Sequence, residues 1–252
     1  MNELRPGMPP ADVPSRPAPR PPARRPWATY ALIGLTALVF LLQSLSTSLR
    51  GTDLPLAWGA KINALISQGE LWRLITPLVL HAGVLHAGFN LYALYIIGPQ
   101  AEAIFGRWRF LTVYLVSGMG GVLASYLLTA EVSVGASSAI FGLIGALLIF
   151  FYRHRKALGE FGRRGLVNLL VVAGINLVLG LSPGIDNWGH IGGLLAGALL
   201  ALVLGPDLRL ERVEITGQTI VSDRRAFRRT WPFALLVGLV ILGVALFIRR
   251  PG

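Results

Sequence analysis

Seven apolar runs of 16 to 20 residues divide the chain, at 27–45, 84–103, 110–129, 135–152, 166–181, 188–204 and 231–248. Crossing the hydrocarbon core of a bilayer takes roughly 20 mostly apolar residues in helical form. The pattern therefore predicts an all-α polytopic membrane protein with seven crossings. The fifth and sixth runs are short for simple spans and carry Gly, Asn and His, which places them inside a bundle rather than against lipid.

The segments between the runs differ in kind. Residues 1–26 are rich in Pro, Arg and Ala and cannot bury enough apolar surface to fold, so a disordered tail is expected. Residues 46–83 are too apolar for a plain loop. Leu54, Leu56, Trp58, Ile62, Leu65, Leu71 and Trp72 predict short amphipathic helices lying in the interface, with tryptophans at headgroup depth. Residues 206–230 read as a polar linker, and 231–252 as a final helix with no buried polar residue. The expected organisation is thus a tail, a six-helix core over 27–205, a linker and an appended seventh helix.

Composition supports the membrane reading: 54% of residues are hydrophobic and 14% charged, too apolar for an ordinary soluble domain. The net charge of +11 would suggest nucleic acid, but its placement does not. Eighteen of the basic residues fall in alternate connections and five on the opposite side, with no basic stretch interleaved with aromatics. By the positive-inside rule the amino terminus is expected to be cytoplasmic and the carboxyl terminus external. The expected location is a bacterial plasma membrane, and an organelle membrane of bacterial ancestry would present the same features. The first run lacks a small-residue cleavage site and reads as a retained helix rather than a signal peptide. With no cysteine, disulfides, thiol catalysis and cysteine-held metals are excluded.

Three runs begin with groups that are costly in lipid. Gly135-Ala136-Ser137-Ser138 opens the fourth, Gly189-His190-Ile191-Gly192-Gly193 the sixth, and His81, His86 and Asn90 mark the start of the second. Intramembrane polar groups of this kind are functional candidates. Even-numbered crossings run in one direction, so all three sets approach from the external side. Ser137 is six residues past Glu131 and His190 four past Asp186, about 5–10 Å along a helix in each case. Small-residue stripes at Gly189, Gly193 and Gly197 and at Ser138, Gly142 and Ala146 allow close helix approach, which would bring Ser137 and His190 together. His86 and Asn90, four apart, share a face.

Peptide hydrolysis needs this set. A serine hydroxyl becomes nucleophilic when a neutral histidine takes its proton. The resulting oxyanion needs preorganised donors, which His86, Asn90 and the Ser137 N–H can supply. The nearest acid to His190 is Asp186, at the mouth, so a Ser–His dyad is expected rather than a triad. Each member also has a bland reading: a membrane serine bonding its own backbone, a histidine bracing helices, glycines that merely pack. His81 reads as structural.

The chain resembles the rhomboid family of intramembrane serine proteases over residues 55–205. The resemblance rests on Glu70-Leu71-Trp72-Arg73-Leu74-Ile75-Thr76, on His81-x4-His86-x3-Asn90, on Gly135-Ala136-Ser137-Ser138, and on Gly189-His190-x2-Gly193-x3-Gly197. It implies Ser137 as nucleophile, His190 as its partner, and His86 with Asn90 at the oxyanion hole. It also implies a rhomboid-like six-helix core, with Phe141, His81, Gly135 and Gly189 in support. Two departures stand out: Ser138 where many relatives have Gly, and Phe141 where some have a tyrosine that stacks on the histidine. Arg73 is expected to brace the external connection and Glu102 to anchor the inner end of span two.

The function expected is cleavage of other membrane proteins near the outer edge of their transmembrane segments, after local unwinding. Partners would be transmembrane-segment substrates and the bilayer, with no nucleic acid, no metal and no cofactor; the sequence carries no signal of oligomeric state. The alternatives are an inert rhomboid-like protein that binds membrane clients, and a transporter or proton relay using His86 and His190. The second should show paired broken helices in repeated halves, and no repeat is present.

Overall fold

The computed structural model describes residues 25–212, 219–223 and 225–248. Most of the expected tail, part of the linker, and Arg249 and Arg250 lie outside the described residues. The first helix, α1, spans Trp27–Arg50. Nothing local caps its first turn; Glu102, from a later helix, does so. That carboxylate accepts from the Ala28 N–H at 3.1 Å, the Thr29 N–H at 2.8 Å and the Thr29 hydroxyl at 2.8 Å. A buried carboxyl group on the positive end of α1 satisfies donors that would otherwise be orphaned, as expected of an anchoring residue near the end of span two.

The connection after α1 folds as α2 (Leu54–Gly59), α3 (Asn63–Ser67) and two 3₁₀ turns, Leu71–Leu74 and Thr76–Val79. Asp53 caps α2 by accepting from the Leu56 N–H at 2.9 Å. The rings of Trp58 and Trp72 stack at 5.6 Å. Arg73 is buried and donates to the carbonyls of Ala57 and Ala60 and to Glu70, so it braces the connection as the sequence predicted.

Three long helices follow: α4 (Val84–Phe105), α5 (Arg107–Leu128) and α6 (Ser137–Leu179). The 43 residues of α6 contain the fourth and fifth apolar runs. Gly159, at φ 54° and ψ −133°, breaks the helix in a conformation that only glycine adopts readily. The chain folds back there, and Gly165 packs on the Phe151 ring. The basic connection predicted between these runs is therefore helical on both sides of one glycine. The last long helices are α7 (Asn187–Leu204) and α8 (Phe227–Phe247).

Five helices among the described residues are long and apolar enough to cross a membrane: α1, α5, α6, α7 and α8. With α6 double, they hold six of the seven predicted runs. The remaining run, in α4, has the length, but the polar His86, Asn90, Gln100 and Glu102 keep it outside that set. Within the linker, β1 (Leu208–Arg212) and β2 (Thr219–Asp223) pair as an antiparallel hairpin, Leu208 opposite Asp223.

α5, α6 and α7 form the centre of the bundle. The two small-residue stripes mate: a Cβ on Gly193 would stand 2.0 Å from the Ser138 carbonyl oxygen, and one on Gly197 1.9 Å from that of Gly142. No other residue fits that seam. Glycine here sets the helix spacing on which the site depends.

Candidate active site

Ser137 is the first residue of α6. Residues 130–136 leading to it are not helical, so the rise predicted from Glu131 does not apply and the chain reaches this depth in a non-helical path. Two backbone contacts guide that path. Lys61 pairs with Ser133 as an isolated antiparallel bridge, and the Gly135 N–H donates to the Pro77 carbonyl at 2.9 Å. Gly135 itself has φ 126°, and a Cβ there would lie 2.7 Å from His86 Nε2. Both the left-handed backbone and the imidazole beside it require glycine.

His190 lies in the first turn of α7. Asp186 caps that helix, its carboxylate accepting from the Gly189 N–H at 2.9 Å. His190 Nε2 is 2.9 Å from Ser137 Oγ. The Phe141 ring, one turn below the serine, stacks on the imidazole at 4.4 Å and 9°. Both rings are buried, so the stack fixes the imidazole plane. His190 Nδ1 is buried with no hydrogen-bond partner among the described residues. Asp186 is committed to its helix cap, and the arrangement is a pair of side chains rather than three.

The amide of Ala82 donates to His86 Nδ1 at 3.4 Å. With Nδ1 as acceptor, the neutral ring carries its proton on Nε2, the atom beside Gly135. Asn90 uses one amide N–H on the His86 carbonyl at 3.0 Å, and its Nδ2 also lies near Gly135. The predicted residues Ser137, His190, His86, Asn90 and Phe141 thus line one cavity of about 1390 Å³. Gly135 and Gly189 sit beside it. His81 does not line it: the ring is buried and meets His86 edge-on at 5.1 Å. Burial, with His86 alongside, holds the His81 imidazole well below its ordinary value, at about 4, so it is neutral at pH 7.

The cavity has two kinds of wall. Phe89 and Ile96 of α4 face Val172 and Leu179 of the second segment of α6, while Thr129, Glu131, Ser182 and Asp186 form its rim. An apolar slot with a polar rim suits an extended apolar chain and admits water from one end.

Two supporting residues escaped the sequence reading. Lys61, counted there only as an external charge, is fully buried; its ammonium donates to the carbonyls of Thr129 at 3.0 Å and Glu131 at 2.7 Å. It closes the end of α5 and holds the segment leading to Ser137. Gln43 of α1 clasps the backbone of His81, donating to its carbonyl at 3.1 Å and accepting from its N–H at 3.0 Å. A lone lysine and a lone glutamine in apolar stretches were the available signals.

A family model described as Rhomboid domain matches residues 68–207. Among curated proteins, the chain is 44% identical over 182 residues to Rhomboid protease GluP of Bacillus subtilis (strain 168), covering 72% of this chain and 35% of that protein. It is 43% identical over 174 residues to RHOMBOID-like protein 7 of Arabidopsis thaliana, covering 67% and 54%. The chain therefore spans between a third and a little over half of the length of these relatives. The matched segment contains every polar group that meets at the cavity floor, and the chain belongs to the rhomboid family.

Proposed function

We propose that the protein is an intramembrane serine endopeptidase in which Ser137 is the nucleophile and His190 the general base. The observation that carries this reading is the 2.9 Å contact between Ser137 Oγ and His190 Nε2 at the floor of a cavity with apolar walls. Nε2 takes the hydroxyl proton as Oγ attacks the scissile carbonyl. The new oxyanion is received by His86 Nε2–H, the free N–H of Asn90 and the Ser137 backbone amide, which stabilise charge present only during reaction. His190 returns the proton to the leaving amine. Water entering over the polar rim then hydrolyses the acyl-enzyme by the same proton route.

The substrate is a transmembrane segment of another protein, received between α4 and the second segment of α6. It must unwind first, because a regular helix hides its carbonyls. In this reading the amino terminus lies on the basic, cytoplasmic side and cleavage occurs near the opposite face. The name of the GluP relative, a rhomboid protease, agrees with the chemistry.

Ser137→Ala and His190→Ala, reconstituted in liposomes with a single-span substrate, test the proposal. Wild type should cleave and both variants should not; equal cleavage by all three rejects the mechanism. If intact wild type binds the single-span protein but never cuts it or takes up a fluorophosphonate at Ser137, the inert client-binding reading replaces this one.

A further inference from the structure

The seventh apolar run lies in α8, whose contacts are specific. α8 packs along α5 and α7, burying Ala234, Ile241 and Ala245 while Leu235, Leu239 and Val240 stay exposed. Its outer end is tied to α5: the Tyr126 hydroxyl donates to the Ile248 carbonyl at 2.5 Å, and Ser67 Oγ of the external connection lies 2.9 Å from the same phenol. Its inner end is tied to both neighbours. Arg225 donates to the carbonyls of Leu202 and Val203 in the last turn of α7, at 2.8 and 3.0 Å. Arg109 of α5 pairs with Asp223 at 2.6 Å and donates to the Arg225 carbonyl. Burial alone would raise the Asp223 carboxyl, but Arg109 and the amides of Arg225 and Asp207 outweigh it and hold it below its ordinary value. The Asp223 carboxyl is thus ionised at neutral pH.

Between these ties, α8 covers the seam of α5 with α7. That seam is made of very small residues: a Cβ on Gly192 would meet Ala124 Cβ at 2.3 Å, and one on Gly120 would stand 2.8 Å from Ala196 Cβ and 3.9 Å from Ile241 Cδ1. Smooth small-residue contacts permit close approach but offer few interlocking side chains to resist sliding. Gly192 is two residues beyond His190, so a shift of α7 along α5 carries the imidazole away from Ser137.

We propose that α8 is a strap that holds α7 in register on α5, and that Ile241 and Tyr126 are positioning residues for His190. The inference rests on the protease reading and adds to it a role for the seventh helix in alignment rather than in anchoring or substrate capture.

Full-length wild type, Ile241→Ala, Ile241→Val and Tyr126→Phe, reconstituted in liposomes with a single-span substrate, test this. Rates are taken per folded molecule. Misplacement of about 1 Å at a reacting pair costs up to about a hundredfold, so a partial slip in Ile241→Ala should lower kcat by about tenfold. KM should stay within about twofold, and fluorophosphonate labelling of Ser137 should slow in step with kcat. Ile241→Val should recover most of the rate, and Tyr126→Phe should lower kcat several-fold. Unchanged kcat per folded molecule in Ile241→Ala and Tyr126→Phe, even with a lower melting temperature, overturns the proposal. So does a raised KM at constant kcat. Should Ile241→Ala fail to fold, Tyr126→Phe decides, since it removes one oxygen and leaves the packing. Failure of the wild type to cleave in a Ser137-dependent way would instead sink the protease reading.

Discussion

Asn90→Ala gives a graded test of the oxyanion site. One N–H of the Asn90 amide is spent on the His86 carbonyl at 3.0 Å, which leaves one for the oxyanion. His86 Nε2–H and the Ser137 backbone amide remain in the variant, so it loses one donor of three. Removal of a single oxyanion donor costs about 3–4 kcal/mol in a closed, dry site. A rim that admits water reduces this to about 2–3 kcal/mol, or a fall in kcat of about 30- to 150-fold. Because the bond forms only when charge develops, KM should stay within about twofold. The assay is cleavage of a single-span substrate in liposomes, with concentration expressed as mole fraction in lipid. The truncation also frees a half-buried carbonyl of α4 from a side chain bonded within the same helix, so a melting curve should accompany it and change little. The reasoning is refuted by a rise in KM at constant kcat, or by loss of activity only in proportion to loss of folded protein.

Two further substitutions probe the frame. Gly193→Ala puts a Cβ 2.0 Å from the Ser138 carbonyl, so α6 and α7 must part by about 1 Å, costing about 1–3 kcal/mol of stability. It should reduce kcat by about a hundredfold, whereas Gly34→Ala, with nothing within 4 Å of its Cβ, should leave kcat unchanged; similar rates for the two would contradict the seam argument. Glu102→Ala removes the acceptor of three hydrogen bonds at the first turn of α1 and should cost about 1–3 kcal/mol. A thermal melt should move down while kcat per folded molecule holds, and an unmoved melt would show that α1 does not depend on this cap.

Much of the site was legible because the chemistry is costly where it lies. A histidine, a serine and an asparagine near the starts of apolar runs stand out against their surroundings, and alternate crossings share a direction. Glycine spacing on two runs further showed which helices could meet closely. A helical rise counted from Glu131 to Ser137 does not hold, because the chain between them is not helical. The hairpin inside the linker was not legible, because its pairing depends on a partner strand that no local apolar period announces. Lys61 and Gln43 were passed over because a single polar residue shows its cost but not its partner.

Periodicity and composition by themselves determined how many apolar segments the chain has and which side of each carries polar groups, since the bilayer acts on every residue locally. The fold alone decided the contacts between residues far apart in sequence. These are Glu102 closing α1, Ser137 Oγ meeting His190 Nε2, and α8 tied to α5 at one end and to α5 and α7 at the other. Such contacts depend on how close two helices come and how each is rotated. Those quantities arise from side chains interlocking across a seam, which no single segment contains.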